Sequence, residues 1–335
     1  MKKLSRKTTA ILPVVLAAAL AFACSEATED SETLYMEGEL EFECPRYIGV
    51  GELLTTTVSG ITYPEDPLYK WYVSLVATDT LRTTTITVNF PDSIGDFVLN
   101  AYAEHSGFYR SSSTFTVTTI DPEESFTGLA DSGKYFFDWR DGQQYPYVTL
   151  GSLDWFARNL SYTGAGVSYE NSAILNSLVG RYYTWEETTG GVSAEGLGAG
   201  PQGVCPEGWS VPTAQDWEDL ALAVSGSKLP FLDEWEGLAA PTSAEAYIND
   251  EKMWAYNPDN DHNNSTGWNA VPSGYCQAAD DFASLDSYGL WWSSTQKSDL
   301  QAYYRYQYVD MSNFPVSTAN KDGIAASVRC VRIAR

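Results

Sequence analysis

The stretch that decides the fold of this chain is CPEGWSVPTAQDWEDL, from Cys205 to Leu220. Thr213 follows a proline and stands three positions before Asp216, which is the spacing of a helix N-cap and the side chain that returns to it. An apolar stripe at helical spacing begins at Trp217, and Gly226 is a natural helix stop. The sequence therefore predicts a capped amphipathic helix that starts at Thr213 and ends near Gly226.

The acidic residues at the start of this helix, Asp216, Glu218 and Asp219, have two interpretations. They would form a metal site or a general-base pair if they converged on one point. Carboxylates in a first helical turn more commonly stabilise the helix itself, because the backbone dipole leaves positive charge there. We interpret them as cap and solvent-facing residues.

The composition predicts folded domains and excludes one class of partner. Hydrophobic residues make up 44% of the 335 residues and aromatic residues 14%, which is enough for the cores of two or three domains. The formal net charge of -24 excludes nucleic acid, because a nucleic-acid binder needs clustered Lys and Arg against the phosphates. The two histidines, His105 and His262, lie far apart, which leaves little material for a Ser-His-Asp triad or a histidine metal site.

Residues 1–24 have the pattern of a bacterial lipoprotein signal peptide. A basic start is followed by an apolar run that is too short to span a bilayer comfortably, and the segment ends in Ala-Phe-Ala-Cys24. That ending resembles a lipobox, which implies cleavage before Cys24 and lipidation of this cysteine; a plain secretory signal is the alternative. Residues 25–35 are predicted to be an acidic tether. We therefore expect an outer membrane lipoprotein, exposed at the cell surface on a lipid anchor.

Residues 36–120 are dominated by period-two alternation, the pattern of half-buried strands. Ile86 and Val88, for example, alternate with threonines, and turns rich in Pro and Gly separate the runs, so we expect a β-sandwich. The YKW run around Trp71 resembles the immunoglobulin-like PKD family, which implies a spacer or adhesion unit with this tryptophan in its core. Residues 121–134 lose the alternation and are predicted to be the domain linker.

Residues 135–335 contain a series of motifs in a specific order. They are DWRDGQQYPYVTLGSLDWFARNL from Asp138, GRYYTW from Gly180, the opening stretch from Cys205, STGWNAVPSGY from Ser265, WWSST from Trp291 and KDGIAASVRCVR from Lys321. Together they closely resemble the Fibrobacter succinogenes major paralogous domain, which implies a C-type-lectin-like fold. The residues themselves predict short strands, one main capped helix and a long loop. The expected fold class is therefore all-β plus α+β, an immunoglobulin-like β-sandwich followed by a C-type-lectin-like domain.

The resemblance also implies one disulfide bond. Cys205 and Cys330 occupy the two cysteine positions of the family, and pairing is the default in an exported protein; two free buried thiols are the alternative. We expect Cys44 and Cys276 to be unpaired, because they fall in different predicted domains.

The long loop from Asn249 to Asn269 is the first place to expect a ligand, because lectin-like folds bind with this loop. Tryptophan and tyrosine rings stack well on sugars, and carboxylate and amide oxygens suit Ca²⁺. The candidate ligand-binding residues are Trp254, Tyr256, Asn257, Asp259, Asp261 and Trp268. Asp259 and Asp261 are also a weak calcium pair, with a polar loop without metal as the alternative, and we expect no other cofactor.

A second aromatic platform is predicted on the strand AYYRYQYV. Tyr304, Tyr306 and Tyr308 alternate in this strand and therefore fall on one face. With 11 tryptophans and 22 tyrosines in the chain, most aromatic residues must simply be packing.

Three functional hypotheses follow. The first is a non-enzymatic surface protein for binding or adhesion, with a glycan or a cell-surface protein as partner. The second is a structural surface or assembly component without a small-molecule site. The third and most distant is a secreted hydrolase with Glu186 and Glu187, or Asp280 and Asp281, as paired carboxylates; adjacent acids normally point in different directions, which argues against it.

Overall fold

The computed structural model describes residues 33–74, 83–224, 234–255, 261–277 and 281–335. Several positions named above lie outside these ranges, namely the signal segment with Cys24, most of the tether, Gly226, Tyr256, Asn257, Asp259 and Asp280. The described chain is mostly β-structure in several sheets. None of its helices has the length and apolar character needed to cross a membrane.

The N-terminal unit consists of strands that alternate buried and exposed side chains, as predicted. They are β1 (Glu41–Glu43), β2 (Tyr47–Gly49), β3 (Leu53–Ser59), β4 (Leu68–Val73), β5 (Thr85–Asn89), β6 (Gly95–Glu104) and β7 (Ser111–Ile120). Sheets β1-β3-β5 and β2-β7-β6-β4 pack around one shared apolar core. Trp71 lies in this core, as predicted, and its Nε1 donates to the carbonyl of Thr83 at 3.0 Å.

The segment predicted to be a linker is partly ordered by the C-terminal unit. Helix α1 (Pro122–Ser125) begins after Asp121, whose carboxylate accepts from the Glu123 amide at 3.0 Å. Strand β8 (Phe126–Thr127) then pairs with β12 (Tyr247–Ile248). The chain therefore enters the C-terminal unit as part of a sheet.

The C-terminal unit has many short elements. Its further strands are β9 (Tyr135–Asp138), β10 (Gln143–Leu150), β11 (Leu153–Phe156), β13 (Glu251–Lys252), β14 (Tyr275–Gln277), β15 (Asp281–Ala283), β16 (Tyr288–Gln296), β17 (Gln301–Tyr308), β18 (Val316–Asn320), β19 (Ile324–Ala325) and β20 (Val331–Ile333). Its helices are α2 (Asn176–Val179), α3 (Trp185–Thr189), α4 (Ala214–Val224) and α5 (Ala239–Thr242), with 3₁₀ turns at Tyr169–Asn171 and Ala173–Leu175. The sheets have the orders β20-β11-β10-β9, β16-β17-β18, β13-β12-β8 and β15-β14-β19.

Helix α4 is the helix predicted from the opening stretch. The Thr213 amide donates to Asp216 Oδ2 at 2.8 Å, and the Asp216 amide donates to Thr213 Oγ1 at 3.2 Å, so the predicted reciprocal cap is confirmed. Trp217 anchors the helix in a core of aromatic rings, 4.8 Å from Trp155 between ring centroids. The two cap hydrogen bonds lie within one turn, so short-range spacing is enough to set the start of this helix.

The prediction that the first-turn acids face solvent is wrong for Asp216. This side chain is fully buried. Its Oδ1 accepts a hydrogen bond from the Gly198 amide at 2.6 Å, and this bond holds the loop around Gly198 over the start of the helix. Burial raises the pKa of Asp216, and the hydrogen bonds from Gly198 and Thr213 oppose that rise. Asp219 likewise binds backbone, since its Oδ2 accepts from the Ser152 amide at 2.6 Å.

The predicted disulfide bond is confirmed. Cys205 and Cys330 are joined with their Cα atoms 5.8 Å apart and a sequence separation of 125. The bond ties the segment before α4 to the residue before β20. Neither Cys44 nor Cys276 forms a disulfide bond within the described residues, as predicted.

A buried arginine connects several of the sequence motifs. Arg329 donates from Nη1 to the Phe156 carbonyl at 3.1 Å and from Nη2 to the Asn269 carbonyl at 2.7 Å, and its guanidinium lies 4.2 Å from the Trp268 ring centre. Burial alone lowers its pKa well below the ordinary value, and no carboxylate contacts it within the described residues. Backbone carbonyls and an aromatic face stabilise this cation in place of an acid.

Candidate functional site

Two tryptophans predicted to bind ligand lie in the interior. Trp254 is 1% exposed and Trp268 is 0% exposed. Trp268 packs against Trp155, Trp217 and Trp291, whereas Trp254 stacks on His262 with ring centroids 5.0 Å apart. Neither ring can present a face to a ligand, because protein atoms already cover both faces. The roles of Tyr256, Asn257 and Asp259 stay predictions, since these residues lie outside the described ranges.

The loop that carries these tryptophans is pinned by its own asparagines. Asn264 Nδ2 donates a hydrogen bond to Asn269 Oδ1 at 2.6 Å. The side chain of Asn269 also forms two hydrogen bonds with the backbone of Ala130: its Oδ1 accepts from the Ala130 amide, and its Nδ2 donates to the Ala130 carbonyl. Both asparagines have positive φ, a conformation that asparagine tolerates well. The asparagines of the STGWN motif region therefore hold the backbone of this loop and of Ala130 in place. The motif has a structural role.

His262 lies beneath the same loop. Desolvation lowers its pKa to about 4, with a smaller contribution from Lys252, while Glu245 and Asp261 oppose the shift. Its ring is therefore neutral at physiological pH. Asp261 itself is exposed, and no group of three or more His, Cys, Asp or Glu suited to a metal ion occurs in the described part of the chain. The calcium prediction stays open, because Asp259 is outside that part.

Glu186 and Glu187, one of the carboxylate pairs considered for hydrolysis, lie in different environments. Glu187 Oε2 accepts from the Thr184 amide at 2.8 Å and completes a capping box at the start of α3. Glu186 is exposed beside it, and Asp281 is exposed at the start of β15. Glu187 is thus engaged in a helix cap.

A cluster of half-buried tyrosines lies on one side of sheet β16-β17-β18; we call it the tyrosine face. Tyr288 pairs with Tyr308 and Leu290 pairs with Tyr306 across β16 and β17, so these side chains share a side of the sheet. The prediction that Tyr304, Tyr306 and Tyr308 share one face is confirmed by this register. The opposite side of β17 carries the buried Arg305 and Gln307. The tyrosine face consists of Tyr275, Tyr288, Tyr304, Tyr306 and Tyr308.

The rings of the tyrosine face are in continuous contact. Tyr288 lies 4.5 Å from Tyr308 and 5.9 Å from Tyr306 between ring centroids, and Tyr304 lies 5.9 Å from Tyr306. Tyr275, from the neighbouring sheet, extends the cluster at 6.4 Å from Tyr288. Sequence reasoning missed Tyr275 and Tyr288, because they come from other strands and only the register brings them to this face.

The hydroxyl groups distinguish these tyrosines from those in the core. Within the described residues, the five hydroxyls of the tyrosine face make no hydrogen bond. By contrast, Tyr183 donates to the Tyr162 carbonyl at 3.1 Å, and Tyr145 accepts from the Ser161 amide at 3.1 Å. The fully buried tyrosines Tyr145, Tyr182 and Tyr183 thus hydrogen-bond their hydroxyls internally, whereas those of the tyrosine face are left for solvent or a ligand.

The tyrosine face is also uncharged. Desolvation raises the pKa of Tyr288 and of Tyr306, and neighbouring tyrosines add to both shifts. The phenols of Tyr288 and Tyr306 therefore stay protonated at physiological pH and offer both donors and acceptors. An aromatic surface with free neutral hydroxyls can stack on apolar ring faces and hydrogen-bond to hydroxyl groups.

Comparison with known proteins gives one family. No curated protein matches the chain. Among solved structures, the Yersinia pseudotuberculosis adhesin InvE is 12% identical, with a TM-score of 0.24 over 89% of this chain and 71% of that chain; this TM-score is too low to support a conclusion. The family model of the Fibrobacter succinogenes major domain matches residues 148–332, which include α4, both disulfide cysteines and the tyrosine face. The chain therefore belongs to the Fibrobacter succinogenes major domain family.

Proposed function

We propose that this protein is a non-enzymatic, surface-anchored lipoprotein whose C-terminal domain binds a neutral glycan through the tyrosine face. In this proposal residues 1–24 direct export, Cys24 carries the lipid and residues 25–35 form the tether. The N-terminal unit acts as an immunoglobulin-like spacer of the PKD type, and residues 135–335 form a C-type-lectin-like domain. Binding does not depend on calcium.

The observation that carries the proposal is the set of tyrosine hydroxyls without an internal partner. Five adjoining rings with free hydroxyls provide stacking area and polar contacts together, which is the combination that a sugar ring requires. The fully buried Tyr145, Tyr182 and Tyr183, which have a structural role, hydrogen-bond their hydroxyls internally instead. The net charge of -24 further favours a neutral ligand over an anionic one, because long-range repulsion slows the approach of an anion.

The proposal is tested with the full-length mature protein on a glycan array, followed by titration calorimetry with the best neutral oligosaccharide. We expect the double variant Tyr288→Ala/Tyr306→Ala to weaken binding about tenfold or more, since each lost ring removes about 1 kcal/mol of stacking. Tyr72→Ala is the matched control, because Tyr72 is an exposed tyrosine on β4 of the other unit. EDTA should leave the affinity unchanged.

Two results would count against the proposal. One is an array without any neutral glycan bound; the other is a double variant that binds as tightly as Tyr72→Ala. Binding of an immobilised protein through the same tyrosines would instead identify a protein ligand for this face.

A different feature favours the alternative of a structural surface component. Trp139 is 87% exposed and lies 4.4 Å from the exposed Phe137 between ring centroids, beside the edge strand β9. Exposed large aromatic residues on an edge strand are typical of protein contacts. Under this alternative, Trp139→Ala reduces assembly measured by crosslinking, while Tyr288→Ala/Tyr306→Ala has no effect.

A further inference from the structure

A cleft of about 570 Å³ lies between the N-terminal and C-terminal units. The N-terminal wall is formed by the starts of β2 and β6 and the second half of β7, and the C-terminal wall by the segments around Tyr169, Glu251 and Asp286. The units are joined beside it, since Asn249 Nδ2 donates to the Thr119 carbonyl at 3.0 Å. This volume falls in the range of small-ligand sites, which often occur between domains.

The inner part of the cleft contains polar atoms without partners. Tyr47, which is 8% exposed, lines the cleft together with Tyr169, which is 5% exposed. Within the described chain the Tyr47 hydroxyl makes no hydrogen bond, and the buried Oδ1 of Asn249, another lining residue, has no partner. Buried polar atoms normally have partners, so the Oδ1 atom of Asn249 indicates a position that a ligand can fill.

The rim of the cleft carries opposite charges that do not meet. The Arg46 guanidinium lies over the Tyr47 ring at 5.2 Å, and it forms no ion pair or hydrogen bond with any residue in the described ranges. The Glu251 carboxylate, across the cleft, is equally without such a partner there. Two other charged residues are already engaged, because Lys252 pairs with Glu245 at 3.2 Å and Asp96 accepts from Thr118 at 2.6 Å.

Arg46 and several carboxylates affect the pKa values of the two buried tyrosines of the cleft, Tyr47 and Tyr169. Burial raises the pKa of Tyr47; Arg46 opposes this shift, whereas Glu170, Asp96 and Glu251 add to it. Burial also raises the pKa of Tyr169, with Glu170 and Asp286 adding and Arg46 opposing. Arg46 and these carboxylates thus act on the same two rings, and Arg46 forms no ion pair with any of them within the described residues.

We propose that this cleft binds a short peptide as a zwitterion, with its carboxylate at Arg46 and its ammonium group at Glu251 and Asp286. The apolar lining residues Ile248, Met253 and Leu285 accommodate an aliphatic side chain. A neutral sugar would leave the separated charges unpaired. A simple anion would meet the carboxylates, and a simple cation would meet Arg46.

The experiment is titration calorimetry on the full-length mature protein with the dipeptide Ala-Leu, its N-acetyl derivative, its C-terminal amide and the neutral disaccharide cellobiose. We expect Ala-Leu to bind, and each blocked form to bind at least about tenfold more weakly, because each lacks one charge. We expect cellobiose not to compete with Ala-Leu for the cleft, so that the affinity for Ala-Leu is the same with and without cellobiose.

Arg46→Ala should weaken Ala-Leu binding about tenfold or more. Arg110→Ala is the matched control, because Arg110 is also an exposed arginine over a tyrosine of the N-terminal unit, 4.5 Å from Tyr102. The variant Tyr288→Ala/Tyr306→Ala should bind Ala-Leu normally, which separates this site from the tyrosine face.

The inference is overturned if Ala-Leu gives no binding at millimolar concentration, or if both blocked forms bind as well as the free dipeptide. Equal affinities of Arg46→Ala and Arg110→Ala would also overturn it. Thermal unfolding of each variant checks that its fold is intact before these comparisons are made.

Discussion

Arg329 Nε donates a hydrogen bond to Asn159 Oδ1 at 2.6 Å, and the same oxygen accepts from Trp291 Nε1 at 2.8 Å. One amide oxygen thus joins three sequence motifs, WFARNL, WWSST and SVRCV, in the interior. The amide nitrogen of the same side chain is also hydrogen-bonded, since Asn159 Nδ2 donates to the Val179 carbonyl at 2.8 Å. The most distinctive residues of the C-terminal unit therefore hold the fold together.

Replacing Arg329 should destabilise the protein strongly. Arg329→Met leaves the carbonyls of Phe156 and Asn269 without their donors in a buried site, so we expect a loss of about 3–5 kcal/mol. Urea unfolding followed by tryptophan fluorescence measures this loss. The control Lys70→Met removes a half-exposed ion pair with Glu104 and should cost under about 1 kcal/mol. Equal losses for the two variants would contradict the structural role of Arg329.

Reduction of the disulfide bond should lower stability through the unfolded state. A bond that closes a loop of 125 residues removes chain entropy worth about 5 kcal/mol by the loop-closure estimate. We expect dithiothreitol to lower the unfolding midpoint of the wild type. The unfolding midpoint of the variant Cys205→Ser/Cys330→Ser should not change. A midpoint that falls equally in both would show that the reductant acts elsewhere.

Acidification should destabilise the fold through His262. The folded-state pKa is about 4 against an ordinary value of 6.5, so between these pH values the unfolded chain binds more protons. The free energy of unfolding therefore falls as the pH drops from about 6.5 towards 4, by about 1–2 kcal/mol from this residue. Urea unfolding at pH 7 and pH 5 should show a smaller difference for His262→Gln than for the wild type. The exposed His105→Gln is the control and should behave as the wild type.

Two carboxylates of α4, Asp216 and Asp219, should differ in their effect on stability. Asp216→Ala removes the acceptor of the Thr213 and Gly198 amides in a buried position and should cost about 2–4 kcal/mol. Asp219→Ala removes contacts with Ser152 at a more exposed position and should cost about 1 kcal/mol. Urea unfolding of both variants measures the difference, and a larger loss for Asp219→Ala would contradict the burial argument.

The parts of the fold that depend on short-range spacing were predictable from the sequence. The cap of α4 and the common face of Tyr304 and Tyr306 both follow from contacts a few residues apart. The burial of Asp216 was not predictable, because the Gly198 amide that closes over it comes from a separate loop. A local sequence pattern therefore predicts a helix or a strand, but it does not predict which distant segment packs over it.

The candidate site was only partly predictable for the same reason. Trp268 and Tyr306 are both aromatic residues near polar stretches, yet one is in the core and the other on a half-exposed face. Tyr288 joins that face through pairing with Tyr308, a register that no single strand encodes. The interdomain cleft needs residues from both units, so neither unit's sequence pattern indicates it.

The position of the disulfide bond also sets how far the chain can be stretched. Cys205 and Cys330 are 125 positions apart, a span that corresponds to roughly 400 Å of extended polypeptide. A pulling force applied to the two ends of the chain bypasses that segment through the covalent bond, even after its hydrogen bonds have broken. The segment includes the tyrosine face, so the proposed ligand-binding surface lies in the part of the molecule that tension cannot draw out to its full length.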